Sequence, residues 1–170
     1  LIREYIYTQI PPEKRRQLHL ETGRCLERLY KKDTREIVPE LAVHFYHGYL
    51  ASKAVHYCLK ASKEANRWYG TPEAIRFGLM GLKTLEEQPE AFSQKAFAEN
   101  RWRLLLELAK AEEAGGDKHP EEDHILTGIT YLDDNLPILD VARDELHAEV
   151  HVQLGKLYIR QGTDMLAAKE

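Results

Sequence analysis

Apolar residues recur at steps of three and four along nearly the whole chain, and no segment alternates convincingly as a strand would. Ala54, Cys58, Ala61, Ala65 and Trp68 follow that spacing, which lays all five on one face of a helix. In the next segment Ala74, Gly78, Gly81 and Leu85 share one side, with Ile75, Leu79 and Leu82 beside them. Two glycines inside a helix cost roughly 1 kcal/mol each against alanine, so close packing against another helix is the expected reason for them. The pattern predicts an all-α protein of closely packed helices.

Turn and cap residues divide the chain. Leu1 to Gln9 reads as a short helix stopped by Pro11-Pro12, and Pro12 suits the first position of a helix running to about Lys31. A third helix is expected from about Thr34 to Gly48, with Pro39 tolerated in its early turns. Ser52 is a candidate cap for the helix that Gly70 ends, and Thr71-Pro72 for cap and first position of the next. Further helices are expected from about Phe92 to Ala114, from Pro120 to about Asp134, and from about Val141 to Gln161 behind an Asp140 cap.

Near the end, Leu154-Gly155-Lys156-Leu157-Tyr158 is followed by Gly162 and Ala167. The small residues suit the contact between two helices of a hairpin, the tyrosine fills the gap between hairpins, and Gly162 breaks the first helix. These spaced positions resemble the tetratricopeptide signature. The fold class expected from it is a set of stacked antiparallel helical hairpins forming a tetratricopeptide-like superhelix. Counting back, residues 11–31, 53–68, 92–114 and 141–161 become the first helix of each pair. Leu41-Ala42, Phe45, Ala54, Cys58 and Ala61 satisfy the pattern in a frame shifted by one helix, so the pairing stays open over residues 34–87.

A second resemblance lies in Arg3-Glu4, Tyr7, Ile10-Pro11-Pro12-Glu13, Arg15-Arg16, Leu18-His19 and Leu26-Glu27, continued by Pro39-Glu40-Leu41-Ala42, His44, Tyr46, Lys53-Ala54, Tyr57 and Ala61. Together these look like the junction in large bacterial signalling ATPases of the STAND type, including class III cyclases and kinases, where an NTPase and winged-helix module is followed by tetratricopeptide-like helices. The resemblance implies that residues 1–10 are the trailing helix of a preceding domain, with Leu1, Ile2, Ile6 and Ile10 partly exposed. Residues 11–170 would be a helical-repeat domain truncated at its C-terminus, and the chain a piece of a longer protein. No GxxxxGK[ST] phosphate loop occurs in it, so ATP chemistry is not assigned to these residues.

Composition narrows the function further. The chain of 170 residues is 43% hydrophobic and 31% charged, as expected of a helix-rich domain with a real core. A net charge of -4 argues against a general nucleic-acid binder, and Lys14-Arg15-Arg16 and Lys31-Lys32 read as solvated helix faces. Apolar runs such as Leu104-Leu105-Leu106 are too short to span a bilayer, so no membrane partner is expected. Cys25 and Cys58 form no CxxC pattern and read as buried free thiols of a cytoplasmic protein.

Catalytic and metal chemistry find little support. His147 and His151 share a helix face, but no glutamate follows the first directly and no third ligand is evident; His44 and His47 are three apart with no obvious partner. Helix packing accounts for all four. Glu121-Glu122-Asp123 sits at a helix start, where it complements the dipole. No serine lies in a GxSxG context and neither cysteine in a catalytic one. The expectation is a non-enzyme without cofactor or metal.

One repeated triplet carries the functional reading: Ala61-Ser62-Lys63, Leu108-Ala109-Lys110 and Leu154-Gly155-Lys156, with the lysines 47 and then 46 residues apart. Arg67 and Arg160 follow the first and third lysines by four. In a helical hairpin the small residue faces its partner, and the next residue is turned by about 100°. Lys63, Arg67, Lys110, Lys156 and Arg160 are therefore the candidate partner-binding residues of a concave face, for an acidic protein segment or an ATPase or output domain of the same protein. The spacing exceeds the usual repeat of about 34 residues, so the superhelix would be irregular. The rival expectations are a spacer or self-association scaffold, and a small-molecule sensor with an enclosed pocket.

Overall fold

A computed structural model describes residues 2–115, which form six α-helices: α1 (Ile2–Gln9), α2 (Pro12–Leu29), α3 (Val38–His47), α4 (Ala51–Arg67), α5 (Thr71–Glu87) and α6 (Gln94–Gly115). No strand occurs among the described residues. The C-terminal signature, Gly155, Ala167, His147, His151, Lys156 and Arg160 lie outside them. From α2 onward each helix packs on the next, and α4 also lies against α6. All-α architecture is thus established for this part of the chain.

Two apolar clusters hold the helices together, and α4 contributes to both. Val38, Leu41 and Phe45 of α3 pack with Ala54, Tyr57, Cys58 and Ala61 of α4 and Phe77 of α5. Val55 of α4 joins Leu82 and Leu85 of α5 and Leu104, Leu105 and Leu108 of α6. The two helical glycines sit where expected. A Cβ on Gly78 would lie 2.7 Å from Leu108, and one on Gly81 would lie 2.6 Å from Leu104. Only a hydrogen atom fits between α5 and α6 at these points.

Helix ends depart from the sequence reading in instructive ways. In a helix starting right after Thr34, Pro39 would fall in the second turn, where an N–H must reach the carbonyl four residues back. Helix α3 instead starts at Val38, which puts Pro39 in the first turn, where no N–H is needed, behind a separate 3-10 turn (Arg35–Ile37). Ser52 is already inside α4, whose N-cap is Leu50, and Gly70 rather than Thr71 is the N-cap of α5. At the end of α4 the Gly70 N–H reaches the Ala65 carbonyl (2.9 Å) and the Tyr69 N–H reaches that of Asn66 (3.4 Å). That is the Schellman pattern, with Tyr69 (φ 57°) rather than a glycine in the left-handed position. The end of α3 repeats it, with Leu50 bonded to Phe45, Tyr49 to Tyr46, and Tyr49 at φ 54°. Gly48 is small for a different reason: a Cβ there would meet the Leu20 backbone at 3.0 Å.

Three burial expectations are corrected. Trp68 lies beyond the last turn of α4 and is 81% exposed, so the apolar stripe stops at Ala65. Cys58 is buried, but Cys25 is exposed, because α2 buries only Gly23 against the rest of the fold. Lys14, Arg16, Lys31 and Lys32 are exposed, as on a solvated face, whereas Arg15 is half-buried.

Candidate functional site

Helix α4 buries Ala51, Ala54, Val55, Tyr57, Cys58, Ala61 and Ser62 between its neighbours. Its remaining face carries Lys53, His56, Lys60, Lys63 and Arg67 at steps of three, four, three and four. At about 100° and 1.5 Å per residue, these five side chains fall within an arc of about 80° and span about 21 Å. Lys63, Arg67 and His56 are exposed; Lys53 and Lys60 are half-buried. The triplet reading found Lys63 and Arg67 but missed the other three, although the 3-4-3-4 spacing was visible.

Carboxylates temper the stripe at both ends. Lys53 Nζ donates to Glu27 Oε1 (2.5 Å), which also accepts from the Tyr57 hydroxyl (2.6 Å). Desolvation pushes the Glu27 carboxyl up, but the bonds from Lys53 and Tyr57 outweigh it and hold the group below the usual range. Arg67 pairs with Glu64 (2.8 Å), and Lys60 donates to Thr34 Oγ1 (3.1 Å). Desolvation, then Lys60 and Lys53, push the His56 imidazole down, so the basic side chains feel one another's charge.

The seam between α4 and α6 brings Lys110 to this region. Asn66, beside Arg67 and one turn from Lys63, bonds Glu107 of α6, and Glu107 pairs with Lys110 (2.9 Å). Lys110 is half-buried and its carboxylate partner buried, so it presents less free charge than Lys63.

Histidine is the second group that sequence reasoning left apart. His44 is partnered: its Nδ1 lies 3.1 Å from His19 Nδ1 of α2, and the His47 ring stands 4.9 Å from that of His19. Tyr7 of α1 closes the group, with its hydroxyl 2.8 Å from His19 Nε2. Desolvation first, then His47, His44 and Arg15, push His19 down to about 4. No group of three histidine, cysteine or acidic side chains among the described residues is arranged to hold a metal ion. No described helix is long and apolar enough to cross a membrane.

A scan of family models and searches of curated proteins and of solved structures each find no match to this chain.

Proposed function

We propose that the chain is a non-catalytic interaction and regulatory module, whose α4 face and α4–α6 seam receive an acidic segment of a partner or of a larger parent protein. The observation that carries this reading is the stripe of four cations, Lys53, Lys60, Lys63 and Arg67, with the neutral His56 among them, on a chain with net charge -4. Such a stripe favours an acidic partner and repels basic ones, which gives selectivity more than raw affinity. Contact of each helix from α2 onward with the next, and of α4 with α6, supports a tetratricopeptide-like stack in which α2, α4 and α6 are first helices. On this reading the parent is a STAND-type signalling protein, as the N-terminal residues resemble.

The test is binding of a glutamate-rich peptide by the chain and by its Lys63→Glu, Arg67→Glu variant. Expected are weak binding that falls as salt rises, and its loss in the variant with helical content unchanged. Absence of binding at low salt, or equal binding by the variant, would refute the reading. Self-association is the second reading, supported by Trp68 and Tyr69 at 81% and 87% exposure. A mass of 19.7 kDa, that of the monomer, at every protein concentration in sedimentation equilibrium would exclude it.

A further inference from the structure

His56 interrupts the cationic edge of α4. It stands one turn after Lys53 and one turn before Lys60, on the same face. The two lysines are seven residues apart, so about 10.5 Å of helix holds only an imidazole between them. That ring is exposed, and it meets the Tyr57 ring edge-on at 4.9 Å between centroids. Tyr57 is itself buried and bonded to Glu27, which gives the imidazole a firm backing.

Desolvation, then Lys60 and Lys53, oppose protonation of His56, and Glu27 of α2 favours it. The carboxylates of this region are engaged elsewhere. Glu27 accepts from Lys53 and from the Tyr57 hydroxyl. Asp33, in the turn after α2, feels the Lys60 charge but is paired with Arg35 (2.6 Å). Glu64, two turns beyond His56, is paired with Arg67 (2.8 Å). The imidazole is therefore neutral at pH 7.

We propose that a carboxylate-rich segment docking on the α4 face drives uptake of one proton by His56, so that the face holds acidic partners more tightly as pH falls, an inference that rests on the acidic-segment reading of that face.

The sign of the coupling follows from the charges. In the free chain, protonation of His56 sets a positive charge beside two others. A docked carboxylate opposite His56 offsets both lysines and accepts a hydrogen bond from the imidazolium. The outcome is the same for either tautomer of the neutral ring, because both ring nitrogens donate once it is charged. Partner and proton thus each raise the affinity for the other by one common factor. Lys63 and Arg67 stay charged throughout, and they sustain the binding that remains when His56 is neutral.

The experiment titrates the whole chain, wild type and His56→Gln, with a glutamate-rich peptide at fixed low ionic strength between pH 8 and 5.5. Fluorescence anisotropy of the peptide gives the affinity, and NMR gives the histidine midpoints with and without peptide. Expected is a rise of about half a pH unit in the His56 midpoint in excess peptide, matched by about threefold tighter binding to the protonated form. His19, on α2, and His44 and His47, on α3, should hold their midpoints. His56→Gln should lose the share of the pH dependence that His56 supplies; protonation of the peptide itself cancels in that comparison. A His56 midpoint that stays put, an equal shift of all four of these histidines, or the same pH dependence in both proteins would overturn the proton coupling and leave the acidic-segment reading standing. Absence of binding at every pH would overturn both.

Discussion

Asn66 on α4 donates from Nδ2 to two oxygens of Glu107 on α6, the backbone carbonyl at 2.9 Å and the side-chain Oε2 at 2.8 Å. One amide thus ties two helices together and solvates a carboxylate that is only 5% exposed. Asn66→Ala would leave that carboxylate short of a donor, at a cost of about 1–3 kcal/mol, and Asn66→Asp would cost more by adding a second negative charge. Urea denaturation followed by circular dichroism measures both; an Asn66→Ala midpoint equal to wild type would mean that Glu107 finds another donor.

Gly81 and Leu104 should be coupled. A methyl at position 81 would sit 2.6 Å from Leu104 Cδ2, and Leu104 is fully buried, so overpacking of about 1–3 kcal/mol competes with a helix-propensity gain of about 1. Gly81→Ala is expected to destabilise. Leu104→Ala alone should cost about 2–5 kcal/mol. The double variant should be more stable than the sum of the two effects, since the new methyl fills part of the new space. Simple additivity would show that Leu104 moves aside.

Tyr69 offers a stabilising substitution. It holds a left-handed conformation that costs an L side chain roughly 1–2 kcal/mol, while its ring is 87% exposed and buries little. Tyr69→Gly relieves the strain at an entropic cost of about 0.5–1 kcal/mol, so a net gain of up to about 1 kcal/mol is expected. A thermal midpoint at or below wild type would show that the ring has a role this chain does not reveal alone.

Acid should weaken the fold in two windows. The folded His19 titrates at about 4 against an ordinary 6.5, so the unfolded chain binds more protons between those values. Stability is full above pH 6.5 and falls as pH drops toward 4. Glu27, held below its ordinary 4.5, adds a second loss that sets in only below that value. His19→Gln should make the fall of the thermal midpoint between pH 6.5 and 5 shallower and leave the lower window unchanged. An equal slope in the variant would assign the upper window to His44, His47 or His56, which are lowered too.

The two thiols should react very differently. Burial pushes the Cys58 thiol up to about 12, whereas Cys25 is exposed. At pH 8 a thiol reagent should label Cys25 promptly and Cys58 only through opening of the fold. Equal rates, read by mass spectrometry of digested protein, would contradict the packing of α4 against α5.

What the sequence determined by itself was everything that repeats within one helix. The spacing of Ala54, Cys58 and Ala61 marked a buried face, and Gly78 and Gly81 marked a close helix contact, because neighbours at three and four residues are fixed by the helix itself. Lys63 and Arg67 were legible as one exposed edge for the same reason. Only the tertiary structure decided which helices meet and in what register. It set His19 against His44 across 25 residues and Asn66 against Glu107 across 41, neither of which any local period encodes. It also placed tyrosines instead of glycines in the left-handed turns after α3 and α4, where paired backbone hydrogen bonds outweigh the local preference. Periodicity sorts side chains around one axis, and a site built between helices depends on how those axes cross.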